Sequence, residues 1–227
     1  KEIYTTEYQE AVKERLETAK ESGTYTTEKM LVEQNPFATN TLSLYVYFAT
    51  EEPASVSYVV SVPDSEIADF GGKVIPDMEN TITFTPEAED GTITTASCKY
   101  KMGSLAGEEE VQLKQTAGQT DVSSQISLPD SGLYVILGND SDDVDFMYYY
   151  DENGTIRGEV PLIGYRSHRL VFENDRMYYS ISEKKMAQVN RLGQVTKVYD
   201  LGNYKLHHDY VFDENGNMLI LATDTTQ

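Results

Sequence analysis

The sequence predicts a mainly β protein: an N-terminal helix and a small antiparallel β-domain followed by an incomplete β-propeller. Three observations carry that reading. One stretch near the start has helical apolar spacing, the chain from Leu31 onward alternates with a period of two, and the part after Ser131 repeats at about 40 residues, the period of one propeller blade. The division that follows is a helical segment over 1–30, the β-domain with a connector over 31–128, and a partial propeller of about two blades over 129–227.

The helix is expected from Thr6 to Gly23. Thr6 and Gln9 have capping-box spacing, Tyr8, Ala11, Val12, Leu16 and Ala19 form an apolar stripe, and Gly23 suits a C-terminal cap. Glu10, Lys13, Glu14, Glu17 and Glu21 form a solvated face. The stripe calls for packing on a sheet.

In the β-domain, Leu44, Val46 and Phe48 share one face, and Val56, Tyr58, Val60 and Val62 alternate with Ser55, Ser57 and Ser61, the signature of half-buried strands. Runs at Thr81 to Thr85 and Thr92 to Lys101 flank Asp90-Gly91, a hairpin dipeptide. The stretch Gly103 to Pro129, with its glycines and Glu108-Glu109-Glu110, reads as a connector holding one edge strand.

Composition excludes some functions. A formal charge of −20 repels nucleic acid and anionic lipid before contact. Cys98 is the sole cysteine, so neither an internal disulfide nor a thiolate metal cluster can form, and its strand-like neighbours mark it as an inert packing residue. No apolar run approaches the ~18 residues that span a bilayer. Lys1 in place of an initiating methionine fits a removed export signal or lipid anchor, which would make the protein exported, periplasmic or extracellular, or anchored at the cell surface. A cut made for expression would leave the same start.

Two stretches of the second half superimpose. Tyr150 to Ile156, Tyr165-Arg-Ser-His168-Arg and Val171-Phe172 through Met177 match Val189 to Val195, Tyr204-Lys-Leu-His207-His208-Asp and Val211-Phe212 through Met218. All three histidines of the chain fall at one point of the repeat, with Arg166 and Arg169 in one copy and Lys205 in the other. Equivalent points of successive blades face the same rim or channel, so these side chains would converge into a cationic pocket for a small anion. For His168 alone, a packing role between strands is the preferred reading. For His207-His208-Asp209 the pocket is preferred: adjacent residues point to opposite faces of a strand, so one histidine packs while the other shares the face of Asp209, whose carboxylate would fix its tautomer.

Oxygen-rich segments raise calcium as a third thought: Asp140, Asp142, Asp143 and Asp145, or Asp151 to Gly154 and Asp213 to Gly216. The full EF-hand pattern is absent, and Asn-Gly at such places is mainly hairpin chemistry.

Tyr204 to Ala222, with His207-His208-Asp209 followed by Asp213-Glu-Asn-Gly-Asn-Met218, resembles the bacterial arylsulfate sulfotransferases that use no nucleotide sulfate donor. Asn35-Pro36-Phe37-Ala38-Thr39-Asn40-Thr41-Leu42 resembles the segment opening that family's small β-domain, and Glu79-Asn80-Thr81-Ile82 a later one. The resemblance spans Leu31 to Gln227 except for the connector. It implies a six-bladed propeller, often a homodimer, that moves a sulfuryl group from a phenolic sulfate donor to an acceptor phenol through a sulfohistidine, with no metal or other cofactor.

The resemblance also implies that the nucleophilic histidine lies in later blades, past Gln227, so that the chain by itself is inactive. His207 or His208, with His207 favoured, then matches a histidine that holds the sulfate, and Asp209, His168, Arg166 and Lys205 complete the expected substrate-binding set. The alternative is an exported, non-enzymatic β-domain that binds a ligand or another protein, its unclosed blades offering an edge for association.

Overall fold

The computed structural model describes residues 2–63, 74–107, 133–137, 144–151 and 156–226. Most of the expected connector, Asp140, Asp142, Asp143 and the segment 152–155 lie outside the described residues.

A single 3-10 turn, Glu2–Tyr4, leads into the helix α1 (Thr6–Ser22). The N-cap is Thr5 rather than Thr6: its hydroxyl accepts from the Tyr8 N–H, and Gly23 closes the other end with its N–H on the Ala19 carbonyl. Gln9 does not complete a capping box. It is buried with Val12 and Leu16, donates to the carbonyls of Ile3 and Phe37, and accepts from the Val195 N–H at 2.9 Å. A polar side chain is tolerated there because every bond lost to water is replaced. Tyr4 docks beside the helix, sharing a 3.0 Å hydroxyl contact with Tyr179.

The β-domain holds two sheets. Strands β1 (Leu31–Gln34) and β2 (Leu44–Tyr47) form an antiparallel pair. Strands β3 (Ala54–Ser61), β4 (Glu79–Ala88) and β5 (Ala96–Lys101) form a meander in that order. Asp90-Gly91 sits in the β4–β5 turn, where Gly91 takes φ 84° and the Asp90 carboxylate accepts from the Thr92 N–H. On β4 the alternation places Asn80, Ile82, Phe84 and Pro86 inward. On β3 it does not have the expected result: Val60 is buried, but Val56 and Tyr58 are 46% and 53% exposed. Alternation sets which residues share a face, whereas a covering layer decides whether that face is dry.

Among the described residues, the rest forms three antiparallel sheets, none of them closed. Strands β6 (Tyr134–Leu137), β7 (Val144–Tyr150) and β8 (Ile156–Ile163) form the first. Strands β9 (Leu170–Glu173), β10 (Arg176–Ser182), β11 (Lys185–Val189) and β12 (Val195–Asp200) form a four-stranded meander, the arrangement of one propeller blade. Strands β13 (Tyr204–Phe212) and β14 (Met218–Asp224) form a hairpin equivalent to β9–β10. The whole is mainly β with one N-terminal helix, consistent with an incomplete propeller. At the β13–β14 turn Asp213 accepts from the N–H groups of Asn215 and Asn217 and from the Asn217 amide, so its oxygens serve the hairpin.

Two cores organise these sheets. Met147, Val160, Leu162, Met177, Tyr179, Ala187 and Val189 join the first sheet to the four-stranded one. Leu42, Val60, Ile82, Phe84 and Met102 of the β-domain pack with Phe146, Tyr148 and Ile156 of β7 and β8, so one core crosses from the β-domain into the repeat region. Asn40 fastens that junction, donating to the Tyr149 hydroxyl and accepting from the N–H groups of Leu42 and Glu159. Fully buried Glu159 accepts from the N–H groups of Ala106 and Gly107, and Cys98 lies at the margin of this core, its thiol pushed up by burial.

Candidate functional site

The loop between β8 and β9 carries Arg166, Ser167, His168 and Arg169, and β13 carries Lys205, His207, His208 and Asp209. Strand β13 is irregular at the histidines. Leu206 pairs with Ala222 and Tyr210 pairs with Ile220, so His207, His208 and Asp209 face only Leu221 on the partner strand. The surplus residues form a bulge, a device that re-aims side chains at a sheet edge. The sequence holds its trace: 39 residues separate His168 from His207, but 40 separate Val171 from Val211.

The bulge corrects the expectation that His207 and His208 point to opposite faces. Their ring centres are 4.4 Å apart at an interplanar angle of 77°, because alternation lapses where the ladder is interrupted. The ring of His208 lies 5.2 Å from that of His168, edge-on, and Tyr165 stands edge-on to His168 at 6.1 Å. All three histidines of the chain therefore form one contiguous group, with His207 and His208 exposed and His168 half-buried.

The charges around this group differ from a simple cationic pocket. The Asp209 carboxylate accepts from the Arg169 guanidinium at 2.5 Å and from the Tyr210 N–H, not from an imidazole, and Arg169 holds its pKa below the usual carboxylate range. Lys205 is paired with Glu183 at 2.6 Å. Arg166 lies close enough to His168 for its positive field to act on that ring. The imidazole of His168 is held below its ordinary pKa, first by burial and then by the positive fields of His208, Arg166 and His207. Burial and like charge act in the same direction here.

Beneath the rings is a polar network that sequence reasoning missed. Tyr210, 1% exposed, donates its hydroxyl hydrogen to the Arg169 carbonyl and accepts from the Ser180 N–H at 3.1 Å. The hydroxyls of Ser167 and Ser180 share a hydrogen bond of 2.9 Å, and Ser167 also reaches the Arg169 carbonyl. The phenol of Tyr210 is pushed up by burial. One signal could have found it: counting back from Val171 and Val211 puts Tyr210 opposite Leu170, a phenol where the repeat has a plain apolar residue.

Three imidazoles with an arginine alongside offer directed N–H donors of the kind an anion needs. Among the described residues no set of three or more His, Cys, Asp or Glu side chains is arranged to hold a metal ion.

Comparison with known proteins gives two family matches. The model described as Arylsulfotransferase (ASST) matches residues 119–227, which include every residue of the histidine group, and that described as Arylsulfotransferase Ig-like domain matches residues 31–103. No curated protein matches the chain. The two matches follow one another in the order in which the β-domain and the blade-like sheets occur, and together they leave only residues 1–30 and 104–118 uncovered. The chain belongs to the arylsulfotransferase family.

Proposed function

We propose that this protein takes part in sulfuryl transfer from a phenolic sulfate ester to an acceptor phenol, with His168, His207 and His208 holding the sulfuryl oxygens. The family supplies the class of donor and acceptor. The observation that carries the assignment to these residues is that all three imidazoles of an otherwise strongly acidic chain converge beside Arg166. An aryl sulfate approaching a protein of net charge −20 needs such a local reversal of sign.

The reaction proceeds in two displacements. A ring nitrogen forms a bond to sulfur as the bond from sulfur to the donor phenol's oxygen breaks, and the phenolate leaves with the electron pair. The acceptor's oxygen then bonds to sulfur as the nitrogen–sulfur bond breaks, its proton passing to a base. In this reading the three imidazoles described above stabilise charge on the sulfuryl oxygens, a role that the family membership supports. Export to the periplasm or cell exterior is part of the same proposal, tested by fractionating cells.

The product of the whole gene, assayed with 4-nitrophenyl sulfate and a phenol, should release nitrophenolate beyond one equivalent of enzyme only when acceptor is present. Replacing His207 and His208 with alanine should lower kcat/KM by roughly a hundredfold. Absence of acceptor-dependent release would remove the enzymatic reading.

Exposed Val56, Tyr58 and Val59 on the edge strand β3 favour a second reading, in which the protein binds another chain, a second copy included, without chemistry. Sedimentation of a stable monomer across a concentration series would count against it.

A further inference from the structure

We propose that the buried hydroxyl of Tyr210, with those of Ser180 and Ser167, is the positioning device that brings His168 against His208 and so assembles the anion-binding face. The inference rests on the reading of that face given above. His168 lies in a loop that makes no ladder with its neighbours, since β9 begins only at Leu170. Two polar links tie the loop to β13 and β10, and a third stiffens it from within. The Tyr210 hydroxyl and Ser167 Oγ both donate to the Arg169 carbonyl, and Ser167 Oγ also shares a hydrogen bond with Ser180 Oγ on β10.

Tyr210 is the joint between the two histidine-bearing segments. It is the first residue of β13 to regain the ladder after the bulge, so its backbone fixes where the bulge ends while its hydroxyl fixes the loop. Its ring is anchored in a small core with Met186 and Leu206, and the Ser180 N–H satisfies the oxygen from the other side. Arg169 adds an outer tie from loop to bulge through Asp209, but that pair is exposed on both sides and screened by water, so it cannot set ring positions alone. A network satisfied on every member fixes geometry better than a surface ion pair.

The test uses the chain's three histidines, all of which belong to the group, so their NMR titration reads the site without background. The groups facing His168 are Tyr165, Arg166, His207 and His208, with the Arg169–Asp209 pair beside them. Tyr210→Phe keeps the buried ring and removes only the hydroxyl. The result expected is that the His168 midpoint moves up toward the ordinary histidine value as the loop leaves His208, and that kcat/KM in the whole gene product falls roughly tenfold to a hundredfold.

A variant that melts earlier but titrates like the parent would show that Tyr210 serves stability alone and would overturn the proposal. If Tyr210→Phe does not fold, Ser167→Ala answers the same question from the loop side. Failure of the function itself shows differently: inorganic sulfate would then shift no imidazole in the unsubstituted chain, whatever Tyr210→Phe does.

Discussion

The imidazole of His208 lies edge-on to that of His168, 5.2 Å between ring centres, although the two belong to different elements and a complete four-stranded sheet separates them in the chain. Each ring is part of the other's electrostatic surroundings. When both carry protons they repel, so removing one changes the other. His208→Ala should therefore raise the His168 midpoint, because it removes a positive neighbour and opens the site to water, both of which now hold the value down. Proton NMR of the imidazole C–H resonances reads the shift directly, and an unchanged or lowered midpoint would show that the rings are not coupled.

Anion binding should depend on pH with a definite sign. A sulfate between the rings favours their charged forms, so it raises their pKa values, and binding takes up protons. Affinity should increase as pH falls from about 8 to about 5. Calorimetry with inorganic sulfate in buffers of different ionisation enthalpy would measure the uptake. Without the anion, acid works against the fold. His168 has a folded pKa below its unfolded value of about 6.5, so its contribution to stability is present above that value and is lost as pH falls through the folded one. Sulfate should recover part of the melting temperature lost below pH 6.5, the recovery being smaller in His168→Gln.

Asp209→Asn should strengthen sulfate binding while leaving the melting temperature nearly unchanged. The carboxylate is exposed and its partner is the exposed Arg169, so the pair adds little to stability. Its removal takes a negative charge from beside the rings and releases the guanidinium to face the ligand. If Asp209 instead orients an imidazole during binding, the same variant will bind sulfate more weakly in a titration at constant ionic strength.

Asn40→Ala should destabilise the junction between the β-domain and the repeat region by about 1–3 kcal/mol, since the N–H groups of Leu42 and Glu159 and the Tyr149 hydroxyl all lose a partner in a part-buried setting. Denaturant unfolding followed by tyrosine fluorescence gives the value. Gly158→Ala should act at the same junction by a different route. An added Cβ would lie 1.9 Å from the Tyr149 ring, which is anchored through Asn40, so the ring must shift at a cost of about 1–3 kcal/mol. The double variant should cost less than the two single effects added, because both act through Tyr149.

The candidate site was half legible in the chain. The repeat of Tyr165 to Phe172 in Tyr204 to Phe212 located the histidines, since equivalent strands of neighbouring sheets come together whatever their loops contain. The motif at His207-His208-Asp209 resembles the family whose models match residues 31–103 and 119–227. The partners were not legible. Spacing groups Lys205 with the histidines, yet it meets Glu183, and it sets Asp209 beside an imidazole, yet the carboxylate meets Arg169. Such pairings depend on which surface charges the fold brings within a few ångströms, which spacing along the chain does not encode.

What the sequence by itself determined is the period: helical over Thr6–Ser22, two in the strands, and about 40 for the blade-like units, because periodicity expresses which residues share a face. It also determined that the three histidines are equivalent. What only the tertiary structure decided is how they face one another. One residue more in the second copy accompanies a bulge, the bulge cancels the alternation that would have parted His207 from His208, and the hydroxyl of Tyr210 ties the loop of His168 to the strand that follows. A strand's alternation is local and readable, whereas an interrupted ladder takes its geometry from the partner strand and from the polar groups buried beneath it.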